Sequence, residues 1–181
     1  VESDSLDGLA ALRGSKYVQS DLGSVFSLIK EELQQGIQVL FCGTPCQVAG
    51  LQAYLHKGYD NLLTLDLACH GVPSDAILQA YIKKLSVKKG INIDKFEFRR
   101  LNGWGFAPAV EIRGKLCPIY GIDDLYMKAF DRSALFRLSC YSCPYARIPR
   151  VGDCTIADFW GIGRHGKPFK PVSYTHLTLP T

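Results

Sequence analysis

The most recognisable chemical motif in this sequence is a pair of cysteines separated by two residues. Cys140 and Cys143 form a Cys-x-x-Cys loop, which can direct two sulfurs at one metal centre, and Pro144 follows, as is usual beside ferredoxin-type ligands. The same spacing serves zinc sites and dithiol redox pairs. The motif therefore indicates a metal or redox site, and on spacing alone zinc and an iron–sulfur cluster fit it equally well.

Two further cysteines follow segments that have the pattern of buried strands. Residues 37–41 and 62–67 predict strands, with a helical stretch that begins at Cys46 between them. The strands of such a unit are parallel, and ligands collect beyond the carboxyl ends of parallel strands. Cys46 and Cys69 lie just past those ends, so the topology should bring them to one edge of the sheet. At the start of a helix, Cys46 would also meet exposed N–H groups and the helix dipole, which favour the metal-binding thiolate.

The other three of the seven cysteines have weaker claims to chemistry. Cys42 could form a reversible disulfide with Cys46 across the turn between strand and helix. Cys117 and Cys154 lie in apolar segments, where a cysteine is expected as a small packing residue, although Cys154 could also lie near a metal centre. The spacing of the seven is unlike that of a small secreted scaffold, so metal or redox use in the cytoplasm is the expected role.

The elements that would position these cysteines give the fold class. Helices are predicted at 22–33 with Asp21 as cap, from Ser74 to Gly90, and at 124–136. Residues 95–100 and 106–113 alternate like antiparallel strands, and 155–161 read as a last strand. We therefore predict an α/β fold, in which a βαβ unit with parallel strands is joined to an antiparallel or mixed portion and the cysteine loops bind a cluster.

Composition excludes several classes of protein. The 181 residues suffice for about one domain, and 47% of them are hydrophobic and 21% charged. The net charge of +4 is not gathered into the basic stripe that nucleic-acid binding needs, and no apolar run is long enough for membrane insertion. No secretory leader is visible. We expect a cytoplasmic protein that binds small anionic cofactors.

Both ends of the chain suggest that it is a piece of a longer protein. It begins at Val1 rather than at Met, and residues 172–181 have neither a helical nor a strand period. That last stretch resembles the translated adapter read-through found at the ends of assembled metagenomic contigs. We therefore expect a single domain over residues 1–171 and a non-native tail over 172–181.

Some residues outside the cysteines could contact a flat, anionic cofactor such as a flavin. Lys16 and Arg99 could donate to a pyrophosphate or ring, although such residues are more often solvated surface. His70 could reach a cofactor edge or act as an ordinary hydrogen bonder at a strand end. Asp158 begins an acidic and aromatic stretch that suits either core packing or a wall beside a flavin, and Gly43 permits close approach of a ring.

Taken in order, these motifs resemble those of a known family. They are Gly14-Ser15-Lys16-Tyr17, Gly43-Thr44-Pro45-Cys46-Gln47, Asp66 through Cys69-His70-Gly71-Val72-Pro73, Cys140-Tyr141-Ser142-Cys143 and Gly152 through Gly161. Together they resemble the beta subunits of coenzyme F420 hydrogenases and dehydrogenases, from about Leu12 to Gly163. The resemblance implies an FAD-binding α/β domain with a 4Fe-4S cluster.

The resemblance also implies which residues serve the cofactors. Carried over position by position, the cluster ligands are Cys46, Cys69, Cys140 and Cys143, which favours a cluster over zinc. The residues expected at the flavin are Lys16, Gly43, Thr44, Gln47, His70, Arg99 and Asp158. The implied partners are a redox partner subunit or ferredoxin-like domain, and a deazaflavin such as coenzyme F420 or another hydride acceptor.

Two other functions remain open from the residues. In one, the same four thiolates hold zinc and stabilise a binding or scaffold module without redox activity. In the other, the chain is an accessory subunit that docks on a polysaccharide or cell-envelope enzyme and binds no flavin.

Overall fold

The computed structural model of the protein describes residues 15–99, 108–158 and 175–178. Its packing divides the described chain into two compact units. Within the described ranges, the first unit comprises residues 15–20 and 71–141, and the second comprises 21–70 and 142–178. Among the described residues no helix is both long and apolar enough to cross a membrane.

The helices and strands are numbered along the chain. The helices are α1 (Val25–Gln34), α2 (Pro45–Leu55), α3 (Asp75–Lys89), α4 (Leu125–Asp131) and α5 (Leu138–Tyr141), with a 3-10 turn at Gly121–Asp123. The strands are β1 (Val39–Gly43), β2 (Leu62–Leu67), β3 (Lys95–Glu97), β4 (Ala109–Ile112), β5 (Lys115–Pro118), β6 (Cys154–Asp158) and β7 (Thr175–Thr178).

The second unit is built on a mixed sheet with the strand order β1-β2-β6-β7. β1 pairs in parallel with β2, and β2 pairs in parallel with β6, whereas β7 is antiparallel to β6. The predicted βαβ unit of β1, α2 and β2 is therefore confirmed, and β2 has the predicted bounds. The parallel part of the sheet has one strand more than that unit, because β6 joins it from a distant part of the sequence.

Alternation along the strands of the second unit places its core on one face of the sheet. Phe41 and Thr64 are buried, whereas their neighbours Leu40 and Leu63 are exposed. The buried side is covered by the apolar faces of α1 and α2. This core consists of Ile29, Leu33, Phe41, Val48, Leu51 and Leu55.

Three predictions for the second unit need correction. Asp21 does not cap α1, which begins at Val25 after Ser24; instead the Asp21 carboxylate accepts a hydrogen bond from the N–H of Gly23 at 3.0 Å. β1 lies two residues further along than predicted, because Gly36 and the residues after it complete the turn out of α1. The last stretch was expected to lack strand structure, yet it contains β7. Its foreign origin stays a prediction, since strand pairing does not show where a sequence comes from.

The first unit combines α3, α4 and α5 with the antiparallel sheet β3-β4-β5. The predicted antiparallel portion is therefore confirmed, and α3 ends as predicted at Gly90, whose φ of +63° suits glycine. One core cluster contains Leu78, Phe98, Tyr126, Met127, Phe130 and Phe136, and a second contains Leu85, Val110 and Ile119.

Two elements of the first unit differ from prediction. The helix predicted over 124–136 ends at Asp131, and Ser133 has a φ of +57°, which no helix accommodates. β5 was not predicted, because Lys115–Pro118 is short and ends in proline. Residues 101–105, the predicted loop, lie outside the described residues. The single domain predicted over 1–171 stays a prediction, since two packing units can serve one function.

Candidate functional site

The carboxyl ends of β1 and β2 bring two predicted ligand segments side by side. Gly43 and Asp66 are paired in register at the ends of these parallel strands. Cys46 lies three residues beyond Gly43, and Cys69 lies three residues beyond Asp66. Both cysteines are exposed. The prediction that the topology brings these two segments to the same edge of the sheet is therefore confirmed.

Cys46 lies in the first turn of α2, and its neighbours fix that turn. The N–H of Thr44 donates to the side-chain oxygen of Gln47 at 2.9 Å, so Gln47 closes the start of the helix from within. Pro45 occupies the first helical turn, where its missing N–H costs nothing. The Thr44 hydroxyl lies 3.2 Å from the Cys46 sulfur. Thr44 and Gln47 thus have a structural role that sets the position of this thiol.

Close packing at the end of β1 favours glycine at position 43. A methyl group at this position would come 3.1 Å from the ring of Phe41 and 3.2 Å from the side-chain oxygen of Gln47. Both distances are tighter than ordinary carbon contacts, so a side chain would press on the residue that closes the helix start. Packing therefore explains the glycine at position 43 without reference to a cofactor.

The Cys69 segment continues from β2. The N–H of Ala68 donates to the carbonyl of Ile156 at 2.9 Å, which extends the pairing of β2 with β6 to the residue before Cys69. Cys69 and His70 follow in irregular, exposed backbone. Gly71 then has a φ of +119°, a region that favours glycine.

Cys140 and Cys143 lie in and after the short helix α5. The N–H of Cys140 donates to the carbonyl of Arg137 at 2.8 Å, and the carbonyl of Cys143 accepts from Ala146 at 3.3 Å in the next turn. Both thiols are half-buried. Cys140 belongs to the first unit, where it packs against the aromatic core, and Cys143 belongs to the second.

In the part of the chain that the structure describes, which includes all seven cysteines, no three His, Cys, Asp or Glu side chains form a group that could hold a metal ion. None of these seven cysteines forms a disulfide in the described structure, so the Cys42–Cys46 disulfide considered from the sequence is not formed. The ligand set predicted from the sequence therefore stays a prediction.

A buried carboxylate for which no role was predicted lies at the end of β2, three residues before Cys69. The side chain of Asp66 is fully buried at the end of β2. It accepts hydrogen bonds from the hydroxyl of Thr155 at 2.6 Å and from the N–H groups of Val151 and Gly152 at 3.2 and 3.1 Å. Arg150 adds a charged donor at 3.1 Å. Asp66 thus ties β2 to β6 and to the loop that leads from Cys143 into β6.

These partners decide the ionisation of Asp66. Burial by itself would raise the pKa of this carboxyl group, but the hydrogen bonds from Thr155, Gly152 and Arg150, together with the positive charge of Arg150, lower the pKa below its ordinary value. Asp66 is therefore a carboxylate at neutral pH. A buried charge of this kind is tolerated only because its partners satisfy it.

A second carboxylate holds the same loop against β2 at Thr64, two residues before Asp66. Asp153 accepts hydrogen bonds from the N–H and the hydroxyl of Thr64 at 2.8 and 2.7 Å, and its own N–H donates back to that hydroxyl at 3.1 Å. Between the two carboxylates lies Gly152, where a methyl group would come 2.9 Å from the backbone nitrogen of Asp66. The Gly152-Asp153 pair therefore clamps the loop closely against β2.

Comparison with known protein families identifies the family of this chain. The family model for the C-terminal part of the coenzyme F420 hydrogenase/dehydrogenase beta subunit matches residues 37–177. The chain belongs to this family. This is the family that the sequence motifs resemble, so the predicted family membership is confirmed.

Among solved structures, the chain is similar to a chain in the structure titled xenon derivatization of the F420-reducing [NiFe] hydrogenase complex from Methanosarcina barkeri. The two share 18% sequence identity with a TM-score of 0.44, over 80% of this chain and 47% of the other. The chain thus spans less than half the length of that neighbour. No curated protein matches the chain.

The residues predicted to contact a flavin are divided between the two units. Lys16 is exposed, and the guanidinium of Arg99 lies 5.4 Å from the ring centroid of Tyr17, both in the first unit. His70 is exposed in the second unit. The side chain of Asp158, and residues 159–161 after it, lie outside the described residues. A role for any of these residues at a flavin stays a prediction.

The cysteines outside the predicted ligand set occupy strands. Cys117 in β5 is half-buried and packs against the Leu85 cluster, as expected of a packing residue. Cys154 is paired with Leu65 in the parallel sheet. The pKa of the Cys42 thiol is raised, first by desolvation and second by the nearby negative charge of Asp66. Cys42 is therefore less prone to form a thiolate than a free cysteine is.

Proposed function

We propose that this chain is the cofactor-carrying part of an iron–sulfur flavoprotein oxidoreductase subunit. Its 4Fe-4S cluster would be held by Cys46, Cys69, Cys140 and Cys143, with FAD beside it. The observation that carries the proposal is the register of Gly43 with Asp66, which sets two predicted ligand segments side by side in a chain of this oxidoreductase family.

The donor set suits the proposed cluster chemically. All four predicted ligands are thiols, the donors that hold clusters of this type. Cys46, Cys69 and Cys143 lie on connecting segments or at a helix start rather than inside strands, where sulfurs would point into the sheet layers. The Thr44 hydroxyl at 3.2 Å from the Cys46 sulfur can donate to it when it is a thiolate.

When bound, the flavin and the cluster would supply the conversion between two-electron hydride chemistry and one-electron transfer. The protein's own contribution would be placement. Thr44 and Gln47 hold the first turn of α2, and the Asp66 network holds the end of β2 and the loop before β6. None of the described side chains is required to act as a general acid or base in this proposal.

The partners follow from the same proposal. A redox partner subunit or a ferredoxin-like domain would exchange single electrons, and a deazaflavin such as coenzyme F420, or another acceptor, would exchange hydride. Because the chain spans 47% of the similar solved chain, the activity of a whole subunit is part of the proposal rather than a finding. A cytoplasmic location likewise stays a prediction.

Anaerobic purification of the full chain tests the proposal. An ultraviolet–visible spectrum before and after dithionite would be combined with iron and zinc analysis and with flavin release on denaturation. We expect broad brown absorbance with iron, together with flavin bands that dithionite bleaches. Zinc in a colourless protein would overturn the proposal in favour of a zinc-stabilised binding or scaffold module. Protein free of both metal and flavin would favour an accessory subunit that binds no flavin.

A further inference from the structure

Arg150 contacts the backbone of two segments that carry predicted ligands. Its guanidinium donates to the carbonyl of Leu67 at 2.7 Å, and a longer contact of 3.4 Å reaches the carbonyl of Tyr145. Leu67 lies two residues before Cys69, and Tyr145 lies two residues after Cys143. One side chain of the second unit therefore links the segments that carry two of the proposed ligands.

The position of this guanidinium is itself fixed by Asp66. The carboxylate receives Nη2 at 3.1 Å and Nε at 3.4 Å, and it is held in turn by Thr155, Val151 and Gly152. Because the Asp66 carboxylate is fully buried and is held by these hydrogen bonds, it anchors the guanidinium that it binds. The Arg150 side chain retains 20% exposure. Arg150 thus forms a bridge between the two segments, and its ion pair with Asp66 is largely buried rather than on the surface.

The chemistry of the bridge requires arginine. A guanidinium presents five N–H donors in a planar fork and can meet a carboxylate and two carbonyls at once. A lysine ammonium is a point charge that could retain the ion pair with Asp66, but it could not span both carbonyls from the same place. The pairing with Asp66 and the link between the two segments are therefore separable by substitution.

We propose that Arg150 is a positioning residue, which sets the Cys69 and Cys143 segments relative to each other so that both thiols can serve one cluster. This inference rests on the proposed function. Arg150 touches neither thiol in this role. It acts through the backbone on either side, as the outer partners of metal ligands do, and loss of such partners commonly lowers metal affinity by about 10–100-fold.

The test compares R150K with two matched variants of the full chain, all purified anaerobically. R147K makes the same substitution at an exposed arginine of the same loop. Ile29→Val removes one methyl group from the core of the second unit and leaves the Asp66 network intact, so it controls for general loss of stability. Iron content, the electron paramagnetic resonance signal of the reduced protein, its reduction potential and the melting temperature are measured for each.

We expect R150K to bind iron about tenfold more weakly than the wild type, and any cluster that remains to have a shifted potential and an altered resonance signal. R147K and Ile29→Val should keep the wild-type potential and signal, even where Ile29→Val melts lower. If R150K matches the wild type in iron, potential and signal, the inference is wrong while the proposed function stands. Wild-type protein without iron overturns the proposed function, and the inference with it.

A second variant, R150A, tests the inference by chemical rescue, and circular dichroism checks that it is folded. In R150A the guanidinium can be replaced by soluble methylguanidinium during reconstitution with iron and sulfide. We expect methylguanidinium to restore iron binding, and methylammonium at the same concentration to restore none. Equal iron binding by R150A with either cation, or with neither, would contradict the positioning role.

Discussion

Replacing Gly152 by alanine should destabilise the second unit by about 2–4 kcal/mol. The new methyl group would lie 2.9 Å from the backbone nitrogen of Asp66 and 3.1 Å from the carbonyl oxygen of Cys154. Both neighbours are backbone atoms of paired strands, so neither can swing aside as a side chain could. The loop itself must move, and its N–H groups must then retreat from the Asp66 carboxylate.

The magnitude follows from two contributions. Forcing an extra methyl group into a packed site commonly costs about 1–3 kcal/mol. A hydrogen bond to a charged group is worth about 1.5–3 kcal/mol, and the Gly152 N–H bond to Asp66, at 3.1 Å, would be lengthened or lost. The two contributions overlap, because movement of the loop relieves the clash at the expense of the hydrogen bond. For a chain of this size, the expected change corresponds to a melting temperature lower by roughly 5–15 °C.

Gly50 provides a matched control within the same unit. A methyl group there would meet the Phe26 ring at 3.4 Å, which is ordinary contact, and alanine is favoured over glycine inside a helix by about 0.5–1 kcal/mol. Gly50→Ala should therefore leave stability unchanged or raise it slightly. Thermal melts and urea unfolding of the apoprotein, followed by circular dichroism, measure both variants. Gly152→Ala melting with the wild type would refute the packing described for the Asp66 loop.

Three further predictions concern glycine strain, acid stability and thiol reactivity. Gly71→Ala should destabilise the first unit by about 2–5 kcal/mol, because φ is +119° and the methyl group would come 2.5 Å from the Phe136 ring. Gly36 has a φ of +80° and no atom within 4 Å of the added methyl group, so Gly36→Ala measures the cost of backbone strain alone in a parallel thermal melt. The lowered pKa of Asp66 contributes stability that is fully present above pH 3.8, the ordinary value, and is lost as the pH falls through the lower folded value. Urea titrations in that range should show a steeper loss for wild type than for Asp66→Asn, and equal slopes would count against the assignment. Because the pKa of Cys42 is raised, its alkylation by iodoacetamide at pH 8 should be slower than that of a free cysteine in a denatured control, as followed by mass spectrometry; an equal rate would contradict the stated environment.

Local sequence patterns predicted the elements that carry the candidate site. The apolar run of β2 and the Ser74 to Gly90 helix have clear boundaries in sequence, and the observed bounds agree. The parallel pairing of β1 and β2 followed from the helix between them, since a short crossover leaves few alternatives. From that pairing, the common edge of Cys46 and Cys69 could be predicted without any structure.

The Asp66 network could not be predicted in this way. Its partners are 84 to 89 residues away from Asp66 in sequence, and no periodicity links residues so far apart. A charged residue inside the apolar strand Leu62–Leu67 was the available signal, because a buried carboxylate needs partners from elsewhere. Arg150 gives no such signal, since an arginine in a loop usually lies on solvated surface.

The helix boundaries that were wrong share a physical cause. Asp21 has the residue type of a cap but is used in a preceding turn, and the predicted helix over 124–136 is interrupted by the left-handed backbone at Ser133. Both outcomes depend on how the chain packs after each turn rather than on local preference. The spacing of the cysteines also cannot identify the metal, because the same four thiols can bind zinc or an iron–sulfur cluster.

In the proposed function, four particular cysteines hold one iron–sulfur cluster. The most direct test measures iron and acid-labile sulfide in the wild type and in alanine variants of Cys46, Cys69, Cys140 and Cys143, with Cys117→Ala as the matched control. We expect iron and sulfide in equal amounts in the wild type and in Cys117→Ala, and a loss of both in each of the other four variants. Wild-type iron in any of those four, or zinc in place of iron in the wild type, would contradict it.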